Sequence, residues 1–322
     1  MTVDISVIIC TRNRCESLKE TLESLLRQEH TGHCAYEVIV VDNKSTDRTK
    51  ETVDGFIPKF NGRLRYVFEP SPGLSFARNK GIREARGVIV AFTDDDCIVD
   101  PQWIHAIYTC ARETGFDALG GKILPIYPPE TPRWVKANED LLCGAIVFHN
   151  YGDGTKLYQK PMIEMVGANM AFRRTIFDDC GLFRTDLGAG QGTVGEDTEI
   201  FERIAQKTKK VYYCGDVVVR HPVERERTNL AYIARWNIAL GRYRAIISEN
   251  KTVTDDLVYY FGVPRYLVRE MFRNAFGLAA NILNKRKFLK HWISLFLDWG
   301  RAIEFKKARH ANTAFRVFRL PL

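Results

Sequence analysis

The first hundred residues alternate short apolar runs with longer segments of mixed polarity. Four apolar runs predict strands, at Ile5–Cys10, Glu37–Asp42, Leu64–Phe68 and Val88–Thr93. Three segments of helical length separate them, at Cys15–Gln28, Asp47–Lys59 and Ser75–Arg86. Nearly continuous Val and Ile content indicates strands buried on both faces, as in a parallel sheet. The alternation of strands and helices therefore predicts an α/β fold with right-handed crossovers.

The pattern is less regular between Phe116 and Val219. Strand candidates in this part are Ala118–Ile126, Glu164–Phe172, Lys210–Cys214 and Val217–Arg220. The proline-rich segment Pro125–Pro132 and the glycine-rich segment Gly188–Gly195 predict loops. From Asn229 onward the pattern is helical throughout, so we expect a helical C-terminal extension.

Charge is unevenly distributed along the 322 residues, which carry a formal net charge of +8. Residues 221–322 hold 19 basic and 8 acidic residues, a net of +11, which leaves 28 basic and 31 acidic residues, a net of −3, to residues 1–220. A basic C-terminal third indicates an anionic partner, either a membrane surface or a polyanion. The basic residues form no recognisable nucleic-acid-binding module, so we expect no nucleic-acid partner.

Cysteine spacing and hydropathy bear on the compartment. The eight cysteines include no C-x-x-C pair, and several lie inside apolar runs. This pattern predicts free thiols in a reducing compartment. The N-terminus does not resemble a signal peptide, and no run of 18 apolar residues occurs. We therefore expect a cytoplasmic protein, or one that lies peripherally on the inner face of the cell membrane.

Polar clusters follow three of the predicted strands, at Thr11–Arg14, Asp42–Asp47 and Thr93–Asp96. Ligands of open α/β sheets bind at the carboxyl ends of the strands, so these clusters outline one crevice. Each cluster also has a structural explanation. Asp42 and Asp47 could be turn or helix-capping residues, and Arg14 could be a solvated surface residue.

Three consecutive aspartates, Asp94, Asp95 and Asp96, follow the fourth predicted strand. Adjacent carboxylates repel one another unless a cation joins them, and hard cations such as Mg²⁺ or Mn²⁺ prefer oxygen ligands. Helix capping ahead of Pro101 accounts for one aspartate but not for three. The triplet favours a metal site in a phosphate-handling enzyme.

Two further segments carry candidate chemistry. Glu196 and Asp197 open a predicted helix, where the helix dipole stabilises acids but where a general base could also stand. The residues alone leave both interpretations open. In the segment Pro72–Gly81 we expect Ser75 to cap a helix, and Arg78 in its first turn would face anionic ligand groups.

Six motifs, VIICTRNR, VVDNKSTD, PGLSFARNKGI, IVAFTDDDC, GANMAF and GEDTE, resemble in order those of the inverting family 2 glycosyltransferases of GT-A fold. The resemblance covers about residues 3–221. It implies a nucleotide-diphospho-sugar transferase fold, in which helices flank a Rossmann-like mixed sheet. The catalytic domain would span residues 1–225, with a nucleotide-binding half at 1–115 and an acceptor-binding half at 116–225. Residues 226–322 would form a basic amphipathic helical region.

The resemblance also implies roles for individual residues. The nucleotide-sugar donor would be bound by Thr11, Arg14, Asp42, Asn43, Arg78, Asp94, Asp95 and Asn169. Within this set Asp42 would pair with the base, Arg78 would hold the nucleotide or diphosphate, and Asn169 would lie near the donor sugar. Asp94 would face the ribose and the sugar.

The catalytic and metal roles fall on four other positions. Asp197 would be the catalytic base, and Glu196 beside it would position the acceptor. Asp96 would bind a divalent metal, Mn²⁺ or Mg²⁺. His221 follows the last predicted sheet strand and is a second candidate ligand, although a lone histidine is more often structural.

The implied activity is transfer of one sugar to an acceptor hydroxyl, with inversion, by a metal-dependent and hexosyltransferase-like enzyme. The donor would be a UDP-sugar, with a dTDP-sugar as the alternative. The acceptor would be a saccharide or a lipid-linked saccharide in bacterial-type polysaccharide or glycolipid biosynthesis. Processive members commonly carry a Q-x-x-R-W element, and Ala234-Arg235-Trp236 lacks its glutamine. We therefore expect a non-processive enzyme.

Two other functions stay open at this point. A nucleotidyltransferase could share the sheet and the metal, but it usually begins with a Gly-rich, Lys-containing loop, and Thr11–Arg14 contains no glycine. A non-catalytic, membrane-associated scaffold would have no need of both acidic clusters.

The basic C-terminal region predicts a membrane contact or a packed helical layer. In a predicted helix at Pro264–Leu283, arginines recur at Arg265, Arg269 and Arg273. An apolar stripe there contains Leu267, Val268, Met271, Phe272, Ala275 and Leu278. A second segment, Phe288–Phe305, interleaves aromatic and basic residues, a pattern that suits the headgroup region of an anionic bilayer. The alternative is that these helices pack on the catalytic domain and expose their basic faces.

Overall fold

A computed structural model describes residues 3–158, 165–190, 194–248 and 258–310. The chain divides into two compact units. The first, here called the sheet unit, comprises Met1–Tyr127, Val147–Gln191 and Glu196–Val223. The second, the helical unit, comprises Pro128–Ile146, Gly192–Gly195 and Glu224–Leu322. Every residue to which the sequence assigns a role in the site belongs to the sheet unit.

The strands are β1 Ile5–Thr11, β2 Tyr36–Asp42, β3 Leu64–Phe68, β4 Ile89–Asp94, β5 Ile98–Val99, β6 Ala118–Ile126, β7 Thr155–Leu157, β8 Asn169–Arg173, β9 Val211–Pro222, β10 Tyr259–Tyr260 and β11 Val263–Pro264. The helices are α1 Cys15–Leu26, α2 Thr49–Phe56, α3 Leu74–Glu84, α4 Trp103–Thr114, α5 Arg133–Lys136, α6 Glu139–Ile146, α7 Ile176–Cys180, α8 Glu196–Lys207, α9 Leu230–Ser248, α10 Arg265–Ala280 and α11 Lys285–His310.

A mixed sheet organises the sheet unit, with strand order β3-β2-β1-β4-β8-β6-β9-β5, and β7 pairs with β9. The four strands β3, β2, β1 and β4 run parallel, whereas β8 pairs antiparallel with both β4 and β6. The carboxyl ends of β1, β2 and β4 therefore meet at one edge, which brings the three predicted polar clusters together.

The apolar strands are buried on both faces, as their composition predicts. In β1, Val7 and Ile9 pack into one hydrophobic cluster with residues of α1, α2 and α4. Ile8 points to the opposite face and packs into a second cluster, with residues of α3, α7 and α8. Helices thus cover both faces of the sheet. This arrangement confirms the predicted α/β class, including a helical C-terminal region.

The predicted strands Lys210–Cys214 and Val217–Arg220 form one strand, β9. Cys214 pairs with Gly121 of β6, and Val218 pairs with the next residue, Lys122, so residues 215–217 form a bulge. The prediction of two strands was wrong because the intervening residues bulge out of the strand without ending it.

Two other predicted elements differ from the structure. The strand predicted at Glu164–Phe172 begins only at Asn169, and Glu164 itself lies outside the described residues. The C-terminal region is not helical throughout, since β10 and β11 form a short antiparallel pair ahead of α10.

Close packing of two long helices characterises the helical unit. A Cβ atom on Gly241 of α9 would lie 2.0 Å from the carbonyl oxygen of Leu297 in α11, and one on Gly300 would lie 2.1 Å from that of Ile238. The two glycines therefore let the backbones of α9 and α11 approach each other directly. None of the helices among the described residues has both the length and the apolar character needed to cross a bilayer.

We predict that Gly241→Ala separates α9 from α11, because the new methyl group meets backbone that cannot rotate away. We expect the free energy of unfolding to fall by about 1–3 kcal/mol. Hydrogen–deuterium exchange measured by mass spectrometry should show faster exchange of the α9 and α11 amides. Gly55→Ala in α2 is the matched control, because a Cβ there meets nothing within 4 Å and alanine favours the helix by about 0.5–1 kcal/mol. Unchanged exchange in α9 and α11 would contradict the packing described.

Candidate active site

A buried arginine lies at the centre of the acidic cluster. The side chain of Arg78, in α3, is 4% exposed. Its NH1 group donates to Oε1 of Glu196 at 2.6 Å, and its NH2 group lies 4.0 Å from Oδ1 of Asp94. Burial alone would lower the pKa of Arg78, but Glu196, Asp94 and Asp197 raise it above its ordinary value. The guanidinium therefore stays charged and compensates the carboxylates around it.

Asp197 lies partly buried in the first turn of α8, next to Glu196. Its carboxylate accepts hydrogen bonds from the backbone N–H groups of Gly167 at 2.7 Å and Thr198 at 2.8 Å. Burial and the neighbouring charge of Glu196 raise the pKa of Asp197 to about 6. These bonds fix the orientation of the carboxylate, and the raised pKa suits a base that works near neutral pH.

Side chains of α3 anchor the helix to the segment before α8. Asn79 donates to the carbonyl of Phe183 at 2.9 Å and accepts from its N–H at 2.9 Å. Ser75 donates to the carbonyl of Leu187 at 3.0 Å. The prediction that Ser75 caps α3 was therefore wrong. Gly73 is the N-cap, and its φ of 135° is one that side-chain-bearing residues avoid.

Two glycines make room for the charged groups. A Cβ atom on Gly167 would lie 2.4 Å from NH2 of Arg78 and 3.2 Å from Oδ2 of Asp197. Gly188 has a φ of 97°, and a Cβ atom there would lie 2.9 Å from Oε2 of Glu196. Backbone thus approaches the arginine and both acids more closely than a larger residue would allow.

A second charged group forms around the last aspartate of the triplet. NH1 of Arg14 donates to Oδ2 of Asp96 at 2.6 Å and lies 3.6 Å from Oδ1 of Asp95. The Nε2 atom of His221, in β9, lies 3.2 Å from Oδ1 of Asp96. The structure therefore brings together the two residues that the sequence proposed as metal ligands.

Burial and neighbouring carboxylates raise the pKa values of the other two aspartates, Asp94 and Asp95. Burial raises the pKa of Asp95 to about 7, helped by the charge of Asp96 and opposed by that of Arg14. Burial also raises the pKa of Asp94, although Arg78 opposes the shift. Five carboxyl groups thus face two guanidinium groups in this part of the sheet unit, so negative charge is in excess once the carboxyls with raised pKa values are ionised.

The contact between His221 and Asp96 fits a metal cation. The Nδ1 atom of His221 lies 2.8 Å from the carbonyl oxygen of Pro222, which can only accept, so Nδ1 carries the ring proton. In the neutral ring, Nε2 is then an acceptor that faces the buried Oδ1 of Asp96, which makes no hydrogen bond. Two acceptors 3.2 Å apart require a proton or a cation between them. Carboxylate oxygen and imidazole nitrogen are both ligands of Mn²⁺.

Cys97 completes a group of three side chains, with Asp96 and His221, whose potential ligand atoms lie within 4.8 Å of one another. Burial and the charges of Asp94 and Asp96 raise the pKa of the Cys97 thiol well above its ordinary value. Because only the thiolate is a good metal ligand, this arrangement favours the oxygen and nitrogen ligands over the sulfur.

Asp42 is held at the end of β2 by two bonds. Its Oδ1 atom accepts from the N–H of Ser45 at 2.8 Å, which forms a turn, and its Oδ2 atom accepts from the hydroxyl of Tyr66 at 2.7 Å. Ser45 and Tyr66 were not among the predicted site residues. Sheet register could have indicated Tyr66, since it lies on the neighbouring strand two positions before the partner of Asp42.

The two predicted asparagines have structural contacts. Asn43 donates to the carbonyls of Glu69 and Ser71 and accepts from the N–H of Gly73 at 2.8 Å, so it joins the end of β2 to the start of α3. Both amide hydrogens thus bond to backbone, and the contact of Asn43 with the nucleotide stays a prediction.

Asn169 is 1% exposed. Its amide donates to the carbonyls of Lys122 and Val217 at 2.9 and 2.8 Å, and its Oδ1 atom accepts from Nε1 of Trp103 at 2.9 Å. Both amide hydrogens thus hold neighbouring strands together inside the sheet, and the place of Asn169 near the donor sugar stays a prediction.

The chain is similar in sequence to known proteins. The family model described as glycosyl transferase family 2 matches residues 6–181, more than half of the chain. The succinoglycan biosynthesis protein ExoM of Rhizobium meliloti is 29% identical over 243 residues, which cover 75% of this chain and 74% of that protein. Glycosyltransferase AglE of Haloferax volcanii is 28% identical over 222 residues, which cover 68% and 66% of the two chains.

Solved structures with a similar fold have lower sequence identity. The structure of S. aureus TarS 1–349 in complex with UDP has a TM-score of 0.56 and 16% identity, covering 98% of this chain and 93% of that one. The mannosyltransferase PcManGT from Pyrobaculum calidifontis, in complex with GDP-Man and Mn²⁺, has a TM-score of 0.61 and 20% identity, covering 94% and 88%.

We predict that Arg78→Met destabilises the protein by about 3–5 kcal/mol at neutral pH, because it leaves buried carboxylates without their cation. In the variant, the folded-state pKa values of Asp94 and Asp197 rise further above their unfolded values, because Arg78 no longer opposes the shift. Their contribution to stability is then retained at low pH and lost as the pH rises. Urea unfolding should therefore show a smaller deficit at pH 5 than at pH 8.

Glu196→Gln in the Arg78→Met background is the matched control. It removes the carboxylate that pairs most closely with Arg78, so it should recover part of the lost stability at pH 8. An equal deficit at both pH values, with no recovery in the double variant, would show that Arg78 acts only through its packing.

Proposed function

The chain belongs to glycosyl transferase family 2 and has the GT-A fold, and from this premise we propose that it transfers one sugar from a nucleotide-sugar to an acceptor hydroxyl, with inversion. The observation that carries the proposal is the line of charged side chains from Asp197 through Glu196 and Arg78 to Asp94. It joins a fixed base to the carboxyl end of β4, where the donor would bind. The family assignment supersedes the nucleotidyltransferase and scaffold alternatives.

The proposed donor is a UDP-sugar, with a dTDP-sugar as the alternative. Its support is the fold shared with TarS, whose structures include complexes with UDP and UDP-GlcNAc. Asp42 is the proposed contact to the base, because Ser45 and Tyr66 hold its carboxylate at the end of β2. Thr11, at the end of β1, would lie beside the nucleotide. Residues 1–115 would thus bind the donor, and residues 116–225 the acceptor.

Asp197 is the proposed general base. Its carboxylate would take the proton of the acceptor hydroxyl as the acceptor oxygen attacks the anomeric carbon. The bond from that carbon to the diphosphate breaks in the same step, so the configuration inverts. Glu196, beside Asp197, would position the acceptor. Arg78 holds the carboxylate of Glu196 in place through a contact of 2.6 Å.

Arg14 and Arg78 differ in what they can offer to the diphosphate. The side chain of Arg14 is 39% exposed, whereas that of Arg78 is 4% exposed and already compensates three acids. Arg14 is therefore the better placed of the two to contact the diphosphate directly. Arg78 would act mainly by fixing the positions of Glu196 and Asp94.

Asp96 and His221 would hold a divalent metal ion, Mn²⁺ or Mg²⁺. When bound, such an ion supplies positive charge to the departing diphosphate. The Oδ1 atom of Asp96 and Nε2 of His221 would be the ligands, and Arg14 would then exchange its contact with Asp96 for one with the diphosphate. The acceptor is proposed to be a saccharide or a lipid-linked saccharide, glycosylated once per encounter.

We predict that Asp197→Asn lowers kcat by about 10²–10⁴-fold, because the amide cannot accept the hydroxyl proton. The dissociation constant of the nucleoside diphosphate should stay nearly unchanged. In the wild type, kcat/KM should fall below about pH 6, where the raised pKa of Asp197 leaves the base protonated. Kinetics with the cognate donor between pH 4.5 and 8 measure the loss of turnover in the variant and the pH dependence of the wild type.

Glu196→Gln is the matched control for the pH profile. Removing its charge lowers the pKa of Asp197, because Glu196 is one of the causes that raise it. The acidic limb should therefore move to lower pH. A limb that stays in place, or an Asp197→Asn enzyme that keeps wild-type turnover, would remove Asp197 as the base.

We predict that Mn²⁺ increases the thermal stabilisation by one nucleoside diphosphate out of UDP, GDP, dTDP and CDP. A ligand that binds only the folded state adds about 2.7 kcal/mol at a hundredfold excess over its dissociation constant. Asp96→Asn should abolish the increment from Mn²⁺. Thermal-shift measurements with and without Mn²⁺ test this.

Arg14→Met serves as the paired variant, because it removes the cation that competes with Mn²⁺ for Asp96. Binding of Mn²⁺ alone, followed by electron paramagnetic resonance, should be tighter than in the wild type. Binding of the diphosphate should be weaker. A stabilisation by diphosphate that is the same with and without Mn²⁺ would rule out the metal role of Asp96.

A further inference from the structure

An exposed apolar patch lies within a stretch of twelve residues of the helical unit. It consists of Phe272 and Phe276 in α10 and of Ile282 and Leu283 in the turn that follows. These side chains are 72%, 76%, 71% and 96% exposed. Large apolar side chains scattered singly are normal on a protein surface, but a contiguous group usually marks an interaction site.

The two phenylalanines occupy the middle of the solvent-facing side of α10. At about 100° per residue, Phe272 and Phe276 are about 40° apart around the helix axis. Arg269 lies next to Phe276 on the same face and is also exposed. Leu267 and Asn274 lie on the opposite side and are buried. The helix is therefore anchored by one face and presents the other.

Basic residues surround the patch. Residues 265–290 contain seven basic residues and one acidic residue, a net charge of +6. All seven basic residues are exposed, namely Arg265, Arg269, Arg273, Lys285, Arg286, Lys287 and Lys290. The acidic residue, Glu270, forms an ion pair with Arg273, and Asp140 of α6 forms one with Arg286. Aromatic and aliphatic side chains inside a basic rim match the boundary between headgroups and acyl chains of an anionic bilayer.

Charge also argues against two other occupants. A second copy of the chain, related by two-fold symmetry, would bring the same basic surface against itself. The segment 311–322 contains two arginines and no acidic residue, so it would meet like charge on this surface. An anionic partner is the one that complements the rim.

We propose that Phe272, Phe276, Ile282 and Leu283 form a docking surface for an anionic membrane, with the surrounding arginines and lysines on the lipid headgroups. Docking of this kind would keep the protein at the bilayer, where a lipid-linked acceptor is found. The proposal concerns the helical unit alone and does not depend on the chemistry assigned to the sheet unit.

The surface differs from the one that the sequence predicted. In the predicted apolar stripe of α10, Leu267 is buried and only Phe272 is a large exposed side chain. Among the aromatic residues of α11, Trp299 is 52% exposed, whereas the others are exposed less or buried. Trp292 contacts Phe288 and Phe296, with ring centroids 6.0 and 4.8 Å apart, and donates to the carbonyl of Leu230. The membrane contact is therefore assigned to α10 and the following turn.

The test is flotation of the full chain with vesicles of phosphatidylcholine containing about 30 mol % phosphatidylglycerol. We expect binding that falls with added salt and is weak on phosphatidylcholine alone. Phe272→Ser/Phe276→Ser should lower the partition coefficient at least about tenfold, from the apolar area lost. Arg265→Gln/Arg269→Gln should lower it about fivefold for each charge removed.

Val88→Ser is the matched control, since Val88 is 60% exposed but lies in the sheet unit, and its loss should leave flotation unchanged. All variants should keep the wild-type thermal midpoint and nucleotide binding, because the replaced side chains are exposed. Three outcomes would overturn the proposal. They are no flotation of the wild type, flotation that the two serines leave unchanged, and self-association of the wild type that the serines abolish.

Discussion

The buried contact of Arg78 with the carboxylates around it is the interaction on which the rest of the site depends. A guanidinium that is 4% exposed would be costly without a partner, and so would the acids that face it. Because Arg78 is on α3, Asp94 ends β4 and Glu196 opens α8, one cation links three elements distant in the sequence. The proposed base is next to Glu196, so its position depends on the same contact.

Small residues and backbone groups make that contact geometrically feasible. Asp197 is oriented by N–H groups of Gly167 and Thr198, and Gly167 leaves no room for a side chain beside Arg78. Reciprocal bonds between Asn79 and Phe183 hold α3 against the segment before α8. The site is therefore preorganised by groups that do not themselves react.

Much of this could be predicted from the sequence, because continuous apolar strands dictate a sheet buried on both faces and its strand ends then place Asp42 and Asp94–Asp96 together. The contacts of Asn43 and Asn169 could not, since an amide that bonds backbone and one that bonds a ligand look alike in sequence. Ser75 was misassigned for the same reason. The prediction of an exposed apolar stripe on α10 was wrong for another reason. An apolar residue at helical spacing can face either the core or the solvent, and only the packing of the helix decides which.

The charge balance of the site indicates that binding of the metal and binding of the donor depend on each other. Five carboxylates face two guanidinium groups, and a diphosphate would add further negative charge. Binding of the diphosphate alone would therefore be opposed, whereas a divalent cation at Asp96 and His221 would offset it. With such a cation bound, Arg14, whose side chain is 39% exposed, would exchange its contact with Asp96 for one with the diphosphate. Metal and donor would then each favour the binding of the other, which is the reciprocal coupling that thermodynamic linkage requires.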